Sequence, residues 1–266
     1  MTDDLYATTT VLFEGRYLTY GRKQGKVSPL QLQQLQQRLP ELELPDAWMA
    51  SPKTGRLIIE IGFGNGEFIS MLAQRYPQDR FIGIEVFFEG IQALVRRIDR
   101  HGLGNVAILS GHAYPLLAER IADQCIDWTI INFPDPWPRK RNHKRRLIQM
   151  DFLDLLARKS CPNAHLTLAT DWDEYADWMM QRLEAHPAWQ NAVGHGQWAP
   201  QPTEWLTTRF QSKGEAAGRS IHHLDFYRLE ESDQRLSHPS PCPLPQGERV
   251  KEVASCSPSP PVGEGA

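Results

Sequence analysis

Residues 56–61 read Arg-Leu-Ile-Ile-Glu-Ile and run straight into Gly62-Phe63-Gly64-Asn65-Gly66. An amphipathic stretch from Glu67 to Tyr76 follows, until Pro77 stops it. A near-continuous apolar run reads as a strand buried on both faces. Glycines at alternate positions let the chain turn sharply and bring backbone close to a ligand. Strand, glycine turn and helix in that order open a doubly wound sheet. The rest of the chain keeps to this rhythm. Strands are predicted at 80–86, 106–109, 128–133 and 165–170, helices at 89–101, 116–122, 147–159 and 174–186, and a closing strand at 226–229. Such alternation predicts an α/β protein with a mostly parallel sheet, covered by helices on both faces.

A chain of 266 residues suffices for one large domain with extensions. Three stretches are expected. Residues 1–50 form an N-terminal extension with the basic residues Arg16, Arg22, Lys23 and Lys26, then a Gln/Leu helix opened by Ser28-Pro29. Residues 51–231 form the main domain. Residues 232–266 are a Pro/Ser-rich tail that cannot bury enough apolar surface to order itself. The cysteines Cys125, Cys161, Cys242 and Cys256 lack zinc-site spacing, so no metal and no structural disulfide is expected. No apolar run approaches membrane-spanning length, and Met1-Thr2-Asp3-Asp4 lacks the basic and apolar regions of a signal peptide, which predicts a cytoplasmic protein without a membrane partner.

The formal net charge is only −3, so any surface that meets a polyanion must be local. One stretch has that character. After the apolar run 126–133 comes Pro134-Asp135-Pro136-Trp137-Pro138, then Arg139, Lys140, Arg141, Lys144, Arg145 and Arg146. Prolines fix φ and withhold N–H groups, so Asp135 is held just past a strand end, where doubly wound sheets place their ligands. Cations this dense repel one another unless a polyanion answers them, and guanidiniums suit phosphate. The bland reading is a solvated helix start. The sharper one puts Arg141, Lys144, Arg145 and Arg146 on RNA phosphates, with the Asp135 carboxylate able to accept from guanine N1–H and its 2-amino group.

Other residues point to a cofactor. A dinucleotide fingerprint counted from Gly62 needs a small third residue at position 67, where Glu67 stands. The spacing Glu60-x-Gly62-x-Gly64-x-Gly66 is instead similar to the first motif of S-adenosylmethionine-dependent methyltransferases. Glu85, at the end of the second strand, can accept hydrogen bonds from ribose hydroxyls. His112-Ala113, after the third strand, stands where an adenine can be read. Further on, Thr207-Thr208-Arg209-Phe210-Gln211 combines hydroxyl, cation and amide. His222 and His223 have no companion ligands at metal spacing.

From about Arg16 to Glu230 the chain resembles the bacterial tRNA (guanine-N7-)-methyltransferases. The stretch from Phe133-Pro134-Asp135-Pro136-Trp137 to Lys144-Arg145-Arg146 carries the resemblance most specifically, with Thr170-Asp171-Trp172 and Thr208-Arg209-Phe210 behind it. The resemblance implies a Rossmann-like class I methyltransferase fold with an antiparallel closing strand. It also implies methyl transfer from S-adenosylmethionine to N7 of a guanine in the tRNA variable loop. Cofactor positions then fall on Glu60, Gly62, Gly64, Gly66, Glu85, His112, Ala113 and Asp135. Substrate positions fall on Arg139, Asp171, Thr208, Arg209, Phe210 and Gln211, with Asp135 the catalytic group.

Five positions depart from the family pattern. His112 replaces Asp or Asn, Arg139 replaces Lys, Asn142-His143 reverses His-Asn, and Gln211 replaces Glu. They keep open a paralogue with another substrate, or a noncatalytic RNA-binding protein on the same fold.

Overall fold

The computed structural model describes residues 11–13, 16–18, 28–50, 55–201, 216 and 218–230. A hairpin of β1 (Val11–Phe13) and β2 (Arg16–Leu18) precedes α1 (Pro29–Arg38) and the short α2 (Ala47–Ala50). The main domain then runs β3 (Leu57–Ile61), α3 (Glu67–Arg75), β4 (Arg80–Glu85), α4 (Phe88–His101), β5 (Val106–Ser110) and α5 (Ala113–Arg120). It continues through β6 (Ile126–Asn132), α6 (Met150–Lys159), β7 (Ser160–Thr170), α7 (Asp173–Ala185), β8 (Trp189–Asn191) and β9 (His222–Arg228).

The seven-stranded sheet has the order β5-β4-β3-β6-β7-β9-β8. Strands β3 to β7 are mutually parallel, and β9 runs antiparallel to both β7 and β8. Side chains alternate along each strand, so the two faces carry separate cores. Leu57, Ile59, Ile61, Ile82 and Ile84 join α5, α6 and α7 on one side. Ile58, Phe81 and Ile130 join α1, α3 and α4 on the other. Each such fully buried side chain contributes about 1.5–3 kcal/mol. The chain leaves β3 towards β4 on one side and later returns to β6 on the other. That reversal opens a crevice at the carboxyl ends of β3 and β6.

The predicted alternation is present, with shifted boundaries. The helix expected at 116–122 starts at Ala113 because His112 already caps it in extended backbone. The helix expected from Leu147 starts at Met150, since the chain before it is wound into a 3₁₀ turn, Lys140–Arg145. Strand β8 was not anticipated. At three residues it is too short for a period-two pattern, yet it forms the sheet edge beyond β9. The tail 232–266 and the residues Thr208, Arg209, Phe210 and Gln211 lie outside the described residues.

Candidate active site

The glycine turn sits at the carboxyl end of β3. Gly62, Gly64 and Gly66 take φ values of 72°, 56° and 72°, a left-handed region costly to any residue with a Cβ. The turn is also clasped by α4, where a Cβ on Gly90 would stand 2.3 Å from the Gly64 carbonyl oxygen. Glu85 holds the same turn from below. Its Oε2 accepts the Gly64 N–H at 2.8 Å, and its Oε1 accepts those of Val86 and Phe87 at 2.7 and 3.1 Å. Burial pushes the Glu85 carboxyl up, and the nearby charge of Asp135 adds to that. The three amides pull the other way, towards the carboxylate. Glu85 therefore serves the loop as well as any ligand, with lone-pair capacity left on Oε2.

Glu60 is only 3% exposed on β3. Asn132, at the end of β6, donates its Nδ2–H to Glu60 Oε1 at 3.4 Å. Desolvation raises the Glu60 carboxyl to about 8, with the Glu85 charge adding to it. Among the described residues, Glu60 Oε2 and Asn132 Oδ1 are buried without a hydrogen-bond partner. Such orphans cost free energy unless a ligand satisfies them. His112, at the start of α5, is half-buried, and desolvation lowers its imidazole, which favours the neutral ring. A neutral imidazole can both donate and accept.

Asp135 is exposed on the turn that leaves β6. Phe133 and Trp137 on either side of Pro134-Asp135-Pro136 both adopt positive φ, 49° and 43°. Aromatic residues held there store about 1–3 kcal/mol each. The Phe133 N–H donates to the Ala169 carbonyl at 2.8 Å, tying the turn to the end of β7. Burial pushes both the Glu85 carboxyl and the Tyr175 hydroxyl up, and the charge of Asp135 adds to each.

The basic run forms the 3₁₀ turn, with Arg139, Lys140, Arg141 and Lys144 exposed and the backbone of β2 alongside. Arg145 is half-buried, its guanidinium 5.0 Å from the centre of the Trp137 ring. Arg146 corrects the sequence expectation. Expected on RNA phosphate, it is 1% exposed. Its Nε donates to the Pro136 carbonyl at 2.8 Å, and its two Nη groups bond the Glu174 carboxylate. The ring centres of Tyr175 and Trp178 lie 4.9 and 4.7 Å from the guanidinium. No phosphate can reach a cation so enclosed.

Asp171 directly follows β7 and pairs with Arg219 at 3.2 Å. Neither Arg219 nor Glu174 was singled out from sequence. Glu174 reads there as an ordinary acid in a first helical turn, and Arg219 as a lone cation with no local pattern around it. A separate cavity of about 590 Å³ lies along β6, β7 and β9, lined by Trp128, His165, Thr167 and Asp225 among others, and includes none of the predicted site residues.

A family model described as "Putative methyltransferase" matches residues 54–224. A tRNA (guanine-N(7)-)-methyltransferase of Magnetococcus marinus is 46% identical over 221 residues, covering 79% of this chain and 87% of the relative. One of Streptomyces avermitilis is 35% identical, covering 85% of this chain and 80% of the relative. Among solved structures, a 16S rRNA (adenine(1408)-N(1))-methyltransferase of Catenulisporales acidiphilia with cosubstrate SAM has a TM-score of 0.50 at 17% identity. It covers 71% of this chain and 92% of that one. The 16S rRNA methyltransferase KamB also reaches 0.50, at 13% identity, covering 77% of this chain and 96% of its own. At such identities these two structures speak for the fold alone.

Proposed function

The chain belongs to the tRNA (guanine-N(7)-)-methyltransferase family, and on that premise we propose that it methylates N7 of a guanine in the tRNA variable loop with S-adenosylmethionine as donor. The observation that carries this reading is the position of Asp135. It stands between a buried acidic crevice, Glu60 and Glu85, and an exposed cationic turn.

The residues of the crevice fit the donor. Glu60 Oε2 and Asn132 Oδ1 are buried acceptors with no protein donor among the described residues, and an ammonium supplies what they lack. Glu85 Oε2 has lone-pair capacity for a ribose hydroxyl, and the neutral His112 can address an adenine edge. Space beside Gly62, where a Cβ would meet nothing within 4 Å, lets backbone come close to a ligand. When bound, S-adenosylmethionine supplies an electrophilic sulfonium methyl.

Guanine N7 carries an in-plane lone pair and no proton, so this site needs no strong general base. Its task is alignment for in-line displacement, an entropic gain. Asp135 orients the guanine edge and opposes the positive charge that grows on the imidazole ring, a stabilisation stronger at the transition state than before it. Asp171, pinned by Arg219, is a second carboxylate within the substrate region. Arg139, Arg141 and Lys144 present cations to the tRNA backbone. Thr208, Arg209, Phe210 and Gln211 remain substrate candidates on sequence grounds. A tRNA substrate supports the cytoplasm as the site of action.

Incubation with methyl-labelled donor and unmodified tRNA, followed by mapping of the modified base, tests the reading. Label at guanine N7 in the variable loop is the expected result. Label on another atom or another RNA refutes the substrate, and absence of any label together with absence of donor binding refutes the enzyme.

A further inference from the structure

We propose that Arg146, locked to Glu174, is the positioning residue that holds the Asp135 turn in its strained shape, rather than a contact to RNA. Only the functional value of the turn depends on the reading of Asp135 given above.

The turn has few backbone donors of its own. Phe133 and Trp137 both sit at positive φ, and Pro134 and Pro136 between them have no N–H to donate. Contacts from outside the turn hold both of its ends. The entering end is fixed by the Phe133 N–H on the Ala169 carbonyl at 2.8 Å. The leaving end is fixed by two consecutive arginines: Arg145 lies over the Trp137 ring at 5.0 Å, and Arg146 donates Nε–H to the Pro136 carbonyl at 2.8 Å. Asp135 stands between these anchors.

The chemistry of Arg146 suits this task and no other nearby. Its donors are divided among three partners: the Pro136 carbonyl, both oxygens of Glu174, and His143 Nε2 at 3.0 Å. A planar fork between the Tyr175 and Trp178 rings meets these demands together, and a lysine ammonium cannot. Trp178 is itself held, its Nε1–H on the Ile148 carbonyl at 3.0 Å and the Arg182 guanidinium over its outer face. The latch therefore joins the Asp135 turn to α7, which begins two residues after Asp171. It also joins Asp135 to the 3₁₀ turn that bears the exposed cations, since His143 belongs to that turn. Two carboxylates and the cationic turn are referred to one buried guanidinium.

The test compares Arg146→Lys and Glu174→Gln with the parent enzyme. Three readouts are used: the fluorine NMR line of Trp137 in 5-fluorotryptophan-labelled protein, assigned with Trp137→Phe; single-turnover methyl transfer; and tRNA affinity across a salt series. The latch predicts a shifted or broadened Trp137 line in both variants. It predicts rates down on the order of 10–100-fold, as for a reacting group displaced by about 1 Å, and an unchanged salt slope of tRNA binding, since Arg139, Lys140, Arg141 and Lys144 all remain. Added to Asp135→Asn, Arg146→Lys should slow the reaction no further. A Trp137 line that stays unchanged in both variants overturns the latch. So does a loss of tRNA affinity with a salt slope reduced by about one, which is the signature of a phosphate contact. A perturbed Trp137 line together with a fully active Asp135→Asn supports the latch and refutes the role given to Asp135.

Discussion

Asn132 and Glu60 face each other across the point where the sheet reverses its strand order, amide nitrogen to carboxylate oxygen at 3.4 Å. Each also has a buried oxygen that no described residue satisfies. Burial outweighs what the Asn132 amide and the Ile69 backbone offer the Glu60 carboxylate, and keeps the group protonated, up to about 8.

That protonation predicts a pH dependence with a defined sign. The unfolded chain releases this proton at a pH near ~4.3, and the folded chain keeps it until about 8. Stability linked to Glu60 is therefore full below the lower value and is lost as pH rises through the upper one. Glu60→Gln cannot ionise, so its stability relative to wild type should improve steadily between pH 5 and pH 8.5, by an amount on the order of a few kcal/mol. Urea melts of the unliganded proteins check this. A wild-type-to-variant difference that is flat with pH refutes it. An ammonium-bearing donor favours the carboxylate, so its binding near pH 7 should also release a proton, visible as a buffer-dependent binding enthalpy that Glu60→Gln abolishes.

Glu85 performs two tasks that separate on mutation. Its carboxylate satisfies the backbone amides of Gly64, Val86 and Phe87 before any ribose arrives. Glu85→Ala should thus lower the stability of the unliganded protein as well as donor affinity, by about 1–3 kcal/mol for each buried donor left unsatisfied. A variant that binds donor weakly but melts like wild type would show that Glu85 is only a ligand contact.

What a sequence can express decides which placements it reveals. The strand-end places of Glu60, Glu85 and the glycines were legible because the strands announce themselves through apolar runs. The turn that carries Asp135 was legible because prolines mark it. Arg146 was misjudged because a run of cations gives no sign of which member turns inward. That choice depends on Glu174, Tyr175 and Trp178, nearly thirty positions later on α7. The pairing of Asp171 with Arg219 was hidden for the same reason. Long-range ion pairs have no period.

Arg141 and Lys144 remain the exposed representatives of the cationic run, together with Arg139 and Lys140. Neutralising Arg141 and Lys144 together should weaken tRNA binding and flatten its salt dependence by about one per lost phosphate contact. Donor affinity should not move, because neither residue belongs to the crevice. Filter binding from low to moderate salt provides the measurement. An unchanged slope would make this turn a solvated surface only.

Asp135→Asn should reduce methyl transfer far more than tRNA affinity. The substitution keeps size and backbone, and the anchors at Phe133, Pro136 and Trp137 do not involve the Asp135 side chain. It removes the negative charge and replaces one acceptor oxygen with a donor, so the guanine edge loses a partner and the growing ring cation loses its counter-charge. The tRNA body is held elsewhere, by phosphate contacts that this change leaves intact. Loss of a preorganised electrostatic group of this kind costs about 10²–10³ in rate. Removal of the Asp135 charge should also ease ionisation of Glu85, which that charge now opposes. Donor affinity should therefore hold or rise slightly, and a reduced rate cannot be ascribed to an empty donor site. Single-turnover rates at saturating donor and tRNA decide the matter. A rate within threefold of wild type, roughly 0.6 kcal/mol, would transfer the role to Asp171, whose carboxylate at the end of β7 is the next acid in the substrate region.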